Sequence, residues 1–202
     1  MNFLAHFHLA HPTDASRVGG ILGDFAKGTP ENLLTRFPKE VVDGIMLHRV
    51  IDRFTDSHPV FLRSKELLHP SRRRFAGIVI DIFFDHFLAQ LWSDYSKVPL
   101  PKFIEEIHDV LDRRKEWLNP ELLDVAPRMK EENWLGTYGT ISGLALTFRR
   151  VSQRRPFLAP LAGAEEDLTD HYQSFGRAFR EFYPEVLSFA REENPGGAFN
   201  SR

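Results

Sequence analysis

The run RFAGIVIDIFFDHFLAQLW, from Arg74 to Trp92, sets the tightest limit on what this chain can become. Its apolar residues cover nearly every side of a helix, so the segment has to sit inside the protein. Asp81, Asp85 and His86 interrupt it. Asp81 and Asp85 are four residues apart and project from one helical face. Two buried carboxylates repel, and each costs on the order of 3–5 kcal/mol when nothing compensates it. A metal ion, an arginine or a proton must answer them.

Helical periodicity continues through the rest of the chain. Segments of about Asn2 to Ala10, Asp14 to Lys27 and Pro38 to Thr55 come first, and Asp14 or Ser16 is the expected cap of the second. Another helix follows Pro59 and ends near His69 and Pro70. After the buried run, Pro99 and Pro101 mark a turn into FIEEIHDVLDRRKEWL. ELLDVAPRMKEENWL, Tyr138 to Arg150 and Glu165 to Glu192 complete the set. No alternating strand pattern and no linker interrupts them. The expectation is one all-α, single-domain helical bundle over 1–193, with a disordered tail at 194–202. Eighteen phenylalanines point to an aromatic core, with the Phe175, Phe179, Phe182 and Phe189 stripe either core or interface.

Composition removes several kinds of chemistry. The chain has no cysteine, which excludes disulfides, iron–sulfur clusters and thiolate zinc, and fits a reducing cytoplasm. No uncharged apolar run reaches about 18 residues, so no membrane span is expected. The opening MNFLAHFHLAHP lacks the basic start of a signal peptide. A net charge of −2 gives no bulk attraction to nucleic acid. Phosphate-loop and dinucleotide glycine spacings are absent, and so is a G-x-S-x-G elbow.

Two further segments carry ionisable residues in apolar settings. In HRVIDRFTDSHP, His48 and Asp52 stand four apart, and Asp52 and Asp56 repeat the step. Arg49 and Arg53 are alternative partners for these acids. Asp56 or Ser57 is expected to cap the helix after Pro59, which leaves His58 without a role. In GGILGDFAKG, Asp24 follows glycines that permit close approach. His6 and His8 add a weaker signal. Acids and imidazoles from several helices are what a divalent-metal site in a bundle requires. Mixed nitrogen and oxygen donors suit Mn²⁺, Fe²⁺, Co²⁺ or Zn²⁺, and Mg²⁺ where oxygen dominates.

MNFLAHFHLAH, GGILGDFAKG, LHRVIDRFTDSHP and RRRFAGIVIDIFFDHFLAQLW, in this order, resemble the acyl carrier protein phosphodiesterases. The resemblance implies hydrolysis of the phosphodiester that links 4′-phosphopantetheine to a serine of holo-acyl carrier protein. It also implies a divalent cation, typically Mn²⁺ with Mg²⁺, Fe²⁺ or Co²⁺ open, and a distant kinship with HD-domain phosphohydrolases, hence an HD-domain-like bundle. The adjacent His-Asp pair of HD domains is replaced here by Asp85-His86 in reverse order and by the spaced His48 and Asp52. The expected metal set is Asp24, His48, Asp52 and Asp81. The expected catalytic set is Asp24, Asp81, Asp85, His86 and His6, the last three orienting ligands or moving protons. The expected partner is the acidic acyl carrier protein, and the candidate docking groups are Arg72, Arg73 and Arg74 and Arg149 and Arg150, with Arg154 and Arg155 beyond. Two other readings remain: an HD-like phosphohydrolase for a nucleotide or small phosphodiester, and a non-catalytic module with Asp–Arg networks. The oligomeric state is not legible.

Overall fold

A computed structural model describes residues 1–193, and the tail expected to be disordered lies outside them. All regular structure among the described residues is helical. The α-helices are α1 (Phe3–Leu9), α2 (Asp14–Phe25), α3 (Pro30–Leu34), α4 (Lys39–Ser57), α5 (Pro59–Ser64), α6 (Ala76–Gln90) and α7 (Trp92–Tyr95). They continue with α8 (Leu100–Arg113), α9 (Pro120–Glu131), α10 (Trp134–Thr137), α11 (Ile141–Gln153), α12 (Glu165–Asp170) and α13 (Tyr172–Glu192). None is long and apolar enough to cross a membrane.

The apolar run of the sequence becomes α6, and Val79, Ile80, Phe83, Phe84 and Leu88 are fully buried. Phe83 meets Phe175 edge-on at 4.9 Å, and Phe84 packs on Phe179 and Phe182 of α13 at 5.8 and 5.3 Å. Phe175, Phe179 and Phe182 of the α13 stripe are therefore core, while the half-buried Phe189 stacks on Phe54 at 4.4 Å. The long C-terminal helix breaks once, at His171, between α12 and α13.

Helix starts follow side-chain oxygens, though not always the ones expected. Thr13 Oγ1 accepts from Ser16 N and caps α2. Asp14 instead faces the guanidinium groups of Arg113 and Arg114. His58, not Asp56 or Ser57, caps α5, with its Nδ1 accepting from Val60 N. Asp56 and Ser57 finish the last turn of α4.

Two contacts position the site. Helices α2 and α4 cross at Gly19 and Gly44, where a Cβ on Gly19 would run into the Val41 carbonyl and the Gly44 backbone. Only that close crossing sets the α2 backbone beside His48. At the other contact, α1 ends on α6. Asp85 Oδ2 accepts from Leu4 N at 2.8 Å and Oδ1 from Ala5 N at 3.2 Å. These are N–H groups of the first turn of α1, which have no partner inside the helix. Asp85 is thus met by a helix N-terminus, which the sequence did not announce, while burial still pushes its carboxyl up to about 7, towards the proton that the sequence left open. Asp85→Ala strands two buried donors and is expected to cost about 2–4 kcal/mol in urea unfolding. An unchanged midpoint would remove this role.

Candidate functional site

His48, on α4, points its imidazole into α2. Its Nδ1–H donates to the Gly20 carbonyl at 2.6 Å, since a carbonyl can only accept. Nε2 is thereby turned towards two acids, Asp52 Oδ2 at 3.0 Å and Asp24 Oδ1 at 3.6 Å. His6, from α1, stacks on His48 with ring centroids 3.6 Å apart and planes 17° apart. Its Nε2 lies 3.0 Å from Asp52 Oδ1, and its buried Nδ1 has no hydrogen-bond partner. His6, His48 and Asp52 offer ligand atoms that all lie within 4.8 Å of one another. Both imidazoles are buried, while the carboxylates of Asp24 and Asp52 are 45% and 39% exposed.

The charges fit a cation. Burial works to lower the His48 pKa, but hydrogen bonds and charge from Asp24 and Asp52 raise it to about 9. Burial and the neighbouring His48 charge push His6 down to about 4. Two stacked imidazoles carry one charge between them at most. Burial favours a neutral Asp52, but hydrogen bonds from His48 and His6 hold its carboxyl far below the usual range. Asp24 is lowered in the same way, with His48 outweighing burial. Among the described residues, no lysine or arginine forms an ion pair with Asp24, Asp52 or Asp81. Arg49 donates instead to the Ala26 and Gly28 carbonyls at 2.7 and 2.8 Å. An Nδ1–H held by a backbone carbonyl, with Nε2 turned to the open side of the ring, is how metal-binding histidines are oriented. The donor set of imidazole nitrogen and carboxylate oxygen fits a divalent transition ion.

The remaining candidates separate. Asp81 faces the Met1 α-ammonium at 2.9 Å, and that ammonium is 3.6 Å from Asp52 Oδ1. Burial pushes the Asp81 carboxyl up to about 6 against the pull of that ammonium. Asp85 is spent on α1. His86 points elsewhere: its Nδ1–H donates to Tyr138 O at 2.7 Å, and Nε2 accepts from Tyr172 Oη at 2.9 Å. His8 bonds Tyr183 Oη and Tyr95 O. Arg72 is tied to Asp167 at 2.8 Å and to the Pro160 and Ala162 carbonyls. Arg73 holds Glu66 and the Leu68 carbonyl. Arg74 lies over Phe75 and donates to the Phe157 carbonyl, on an exposed surface. Arg149 is exposed, and Arg150 pairs with Glu132.

A cleft of about 340 Å³ opens beside the cluster. Asp24 and Asp81 stand on its wall with Met1, Phe25, Ile82 and Tyr138, and Arg150 and Arg154 line it as well. Asp24 belongs to both cluster and cleft. Ile78, on the cleft wall, is 38% exposed. Sequence reading had no signal for three features of this site. They are the Gly20 carbonyl, the Met1 ammonium and the place of the exposed Arg154 on the cleft wall.

The family model described as "Acyl carrier protein phosphodiesterase" matches residues 1–186. A curated protein of that name from Enterobacter sp. (strain 638) is 36% identical over 194 residues, covering 96% of this chain and 99% of the relative. One from Photorhabdus laumondii subsp. laumondii is 34% identical over 197 residues, covering 96% of this chain and 97% of the relative. One from Klebsiella pneumoniae (strain 342) is 33% identical over 194 residues, with 96% and 99% covered. No solved structure matches the chain. A match that runs through α1, α2, α4 and α6 takes in every element that supplies the cluster, and the chain belongs to the acyl carrier protein phosphodiesterase family.

Proposed function

We propose that this protein hydrolyses the phosphodiester between 4′-phosphopantetheine and the serine of holo-acyl carrier protein, with a divalent cation, Mn²⁺ foremost, at His6, His48, Asp52 and Asp24. The observation that carries this reading is the His6–His48–Asp52 group, joined to the cleft by Asp24, which lines the cleft and lies 3.6 Å from His48 Nε2. A bound cation there supplies a Lewis acid for the phosphoryl oxygen and a more acidic water. The chain does the rest. Gly20 fixes the His48 tautomer, and the stacked imidazoles keep one another aligned. The apolar wall of Phe25 and Ile82 limits water around the diester. Asp81, on the same wall, is poised to take the proton of the attacking water. Oxygen bonds to phosphorus, the bond from phosphorus to the serine oxygen breaks, and the proton passes to that oxygen.

An acidic partner fits the rim. Arg74 sits exposed over the Phe75 ring, and Arg149 is open to solvent. Association with the carrier protein is expected to weaken by at least about tenfold between 50 and 200 mM salt, read from KM. A rate indifferent to salt argues against docking through these arginines. Imidazoles and carboxylates drawn from successive helices support the distant kinship with HD-domain enzymes. A cysteine-free chain acting on a carrier protein fits the cytoplasm.

The test is mass spectrometry of holo-acyl carrier protein after incubation with the protein and Mn²⁺. Loss of the phosphopantetheine mass, stopped by a chelator, is the expected result. An intact carrier protein, with a nucleotide or small diester cleaved instead, would overturn the substrate.

A further inference from the structure

Among the described residues, each charged group on the cleft wall has a partner except Glu121 and Arg154, and Arg154 is the one cation of the two. Asp24 faces His48, and Asp81 faces the Met1 ammonium. Arg150 pairs with Glu132 and lies over Trp134. Arg154 lines the same cleft, and its side chain makes no ion pair or hydrogen bond among the described residues. It follows the last residue of α11, where a cation is favoured by the helix dipole. That preference explains a basic residue but not its place on the cleft wall, which Arg149 and Arg155 do not share. The buried Tyr138 phenol locates Arg154 relative to the acids. Burial raises its pKa well above the usual value, Asp85 and Asp24 add to this, and Arg154 opposes them. Arg154 and Asp24 therefore act on one hydroxyl from within the same cleft.

We infer that Arg154 is the phosphate-facing cation of the cleft, holding a non-bridging oxygen of the phosphodiester on the side opposite the His/Asp cluster. A phosphodiester spreads one negative charge over two non-bridging oxygens. With one oxygen turned to the cluster, the other needs a donor, and a planar guanidinium fork suits it. An arginine with no internal partner meets that oxygen without breaking an existing ion pair. The inference rests on the phosphodiesterase reading and adds a positioning residue to it.

The experiment compares the full chain with Arg154→Ala and Arg154→Lys on holo-acyl carrier protein with Mn²⁺. It reads kcat and KM separately across a salt series. Calorimetry then measures the affinity of each protein for Mn²⁺ and for 4′-phosphopantetheine. Arg154→Ala is expected to lower kcat about 10²-fold, to weaken 4′-phosphopantetheine binding about tenfold, and to leave Mn²⁺ affinity and the salt slope unchanged. Arg154→Lys should recover part of kcat. A loss confined to KM, with a flatter salt slope, would assign Arg154 to partner docking and overturn the inference. So would variants equal to the wild type. A wild-type protein that releases no 4′-phosphopantetheine would overturn the phosphodiesterase reading itself, and this assignment with it.

Discussion

Gly23→Ala is expected to abolish turnover and Mn²⁺ binding together, while Gly20→Ala, one turn earlier on the same helix, leaves both intact. A Cβ on Gly23 would lie inside the His48 ring, against its Cγ, Cδ2 and Nδ1. A Cβ on Gly20 would meet only the His6 carbonyl oxygen at 3.4 Å and the Ala10 Cβ at 3.6 Å, which is ordinary contact. The His48 ring cannot give way locally. His6 stacks on its face at 3.6 Å, and its Nδ1 is held by Gly20 O at 2.6 Å. Alanine at 23 must therefore expel the imidazole from its slot and take Nε2 away from Asp52 and Asp24. A displacement of about 1 Å at a site of this kind costs about 10²-fold, and loss of a ligand costs more. The fold should survive. Overpacking costs about 1–3 kcal/mol, and alanine returns about 1 kcal/mol of helix propensity over glycine. The net change corresponds to a Tm drop of at most about 8 °C in a chain of this size. Far-UV circular dichroism, calorimetric Mn²⁺ titration and turnover of holo-acyl carrier protein read the three quantities apart. A fully active Gly23→Ala protein would mean that His48 does not work from this slot.

How far the sequence led can be judged from the same residues. Helix limits were legible wherever proline, glycine or a capping oxygen punctuated a periodic run. Examples are α4 after Pro38 and α9 after Asn119, whose side chain accepts from Leu122 N. The five-residue α3 is too short to show a period, and the break at His171 carries no proline or glycine. His48 and Asp52 lie on one helix, so their meeting follows from spacing alone. Asp24 and His6 join them only through tertiary contacts, which spacing does not encode. The i,i+4 rule placed Asp81 and Asp85 on one face but did not say what comes to that face. There, an α-ammonium meets Asp81 and a helix N-terminus meets Asp85. His86 is adjacent to Asp85, so it leaves the helix about 100° away and belongs to a different surface. The run Arg72 to Arg74 read as one patch. Its first two members are spent on Asp167, Glu66 and carbonyl oxygens.

Mn²⁺ binding is expected to displace about one proton from the protein between pH 6.5 and 8, and its affinity should climb about tenfold per pH unit across that window. The proton is the one on His48. Free imidazole loses it near 6.5, but in the folded, metal-free protein Asp24 and Asp52 hold it to about 9. A cation at Nε2 needs the lone pair that this proton occupies. The sign for stability follows from the same shift. The folded pKa is raised, so the stabilisation from protonated His48 is complete below about 6.5 and is lost as pH rises towards 9. Its size is on the order of 3 kcal/mol, since the pKa moves from 6.5 to about 9 and each unit is worth about 1.4 kcal/mol. The metal-free protein should therefore lose stability across this window. With saturating Mn²⁺ the His48 part of the loss should vanish, because the loaded native state no longer carries that proton, and only the smaller part from Asp85 should remain. His6 at about 4 and Asp81 at about 6 titrate below the window, while Asp85, pushed up to about 7 by burial, titrates inside it and adds a loss of stability that does not depend on the metal. The Met1 ammonium, raised to about 10 by Asp81 and Asp52 against its burial, titrates above it. Urea unfolding at pH 6.5, 7.2 and 8, with and without Mn²⁺, separates the two slopes. Calorimetry in buffers of different ionisation enthalpy counts the proton. A titration that releases no proton would show His48 to be neutral before the cation arrives. The carboxylates of Asp24 and Asp52 would then lack the charge that reconciles them, and the arrangement of the whole cluster would need another cause.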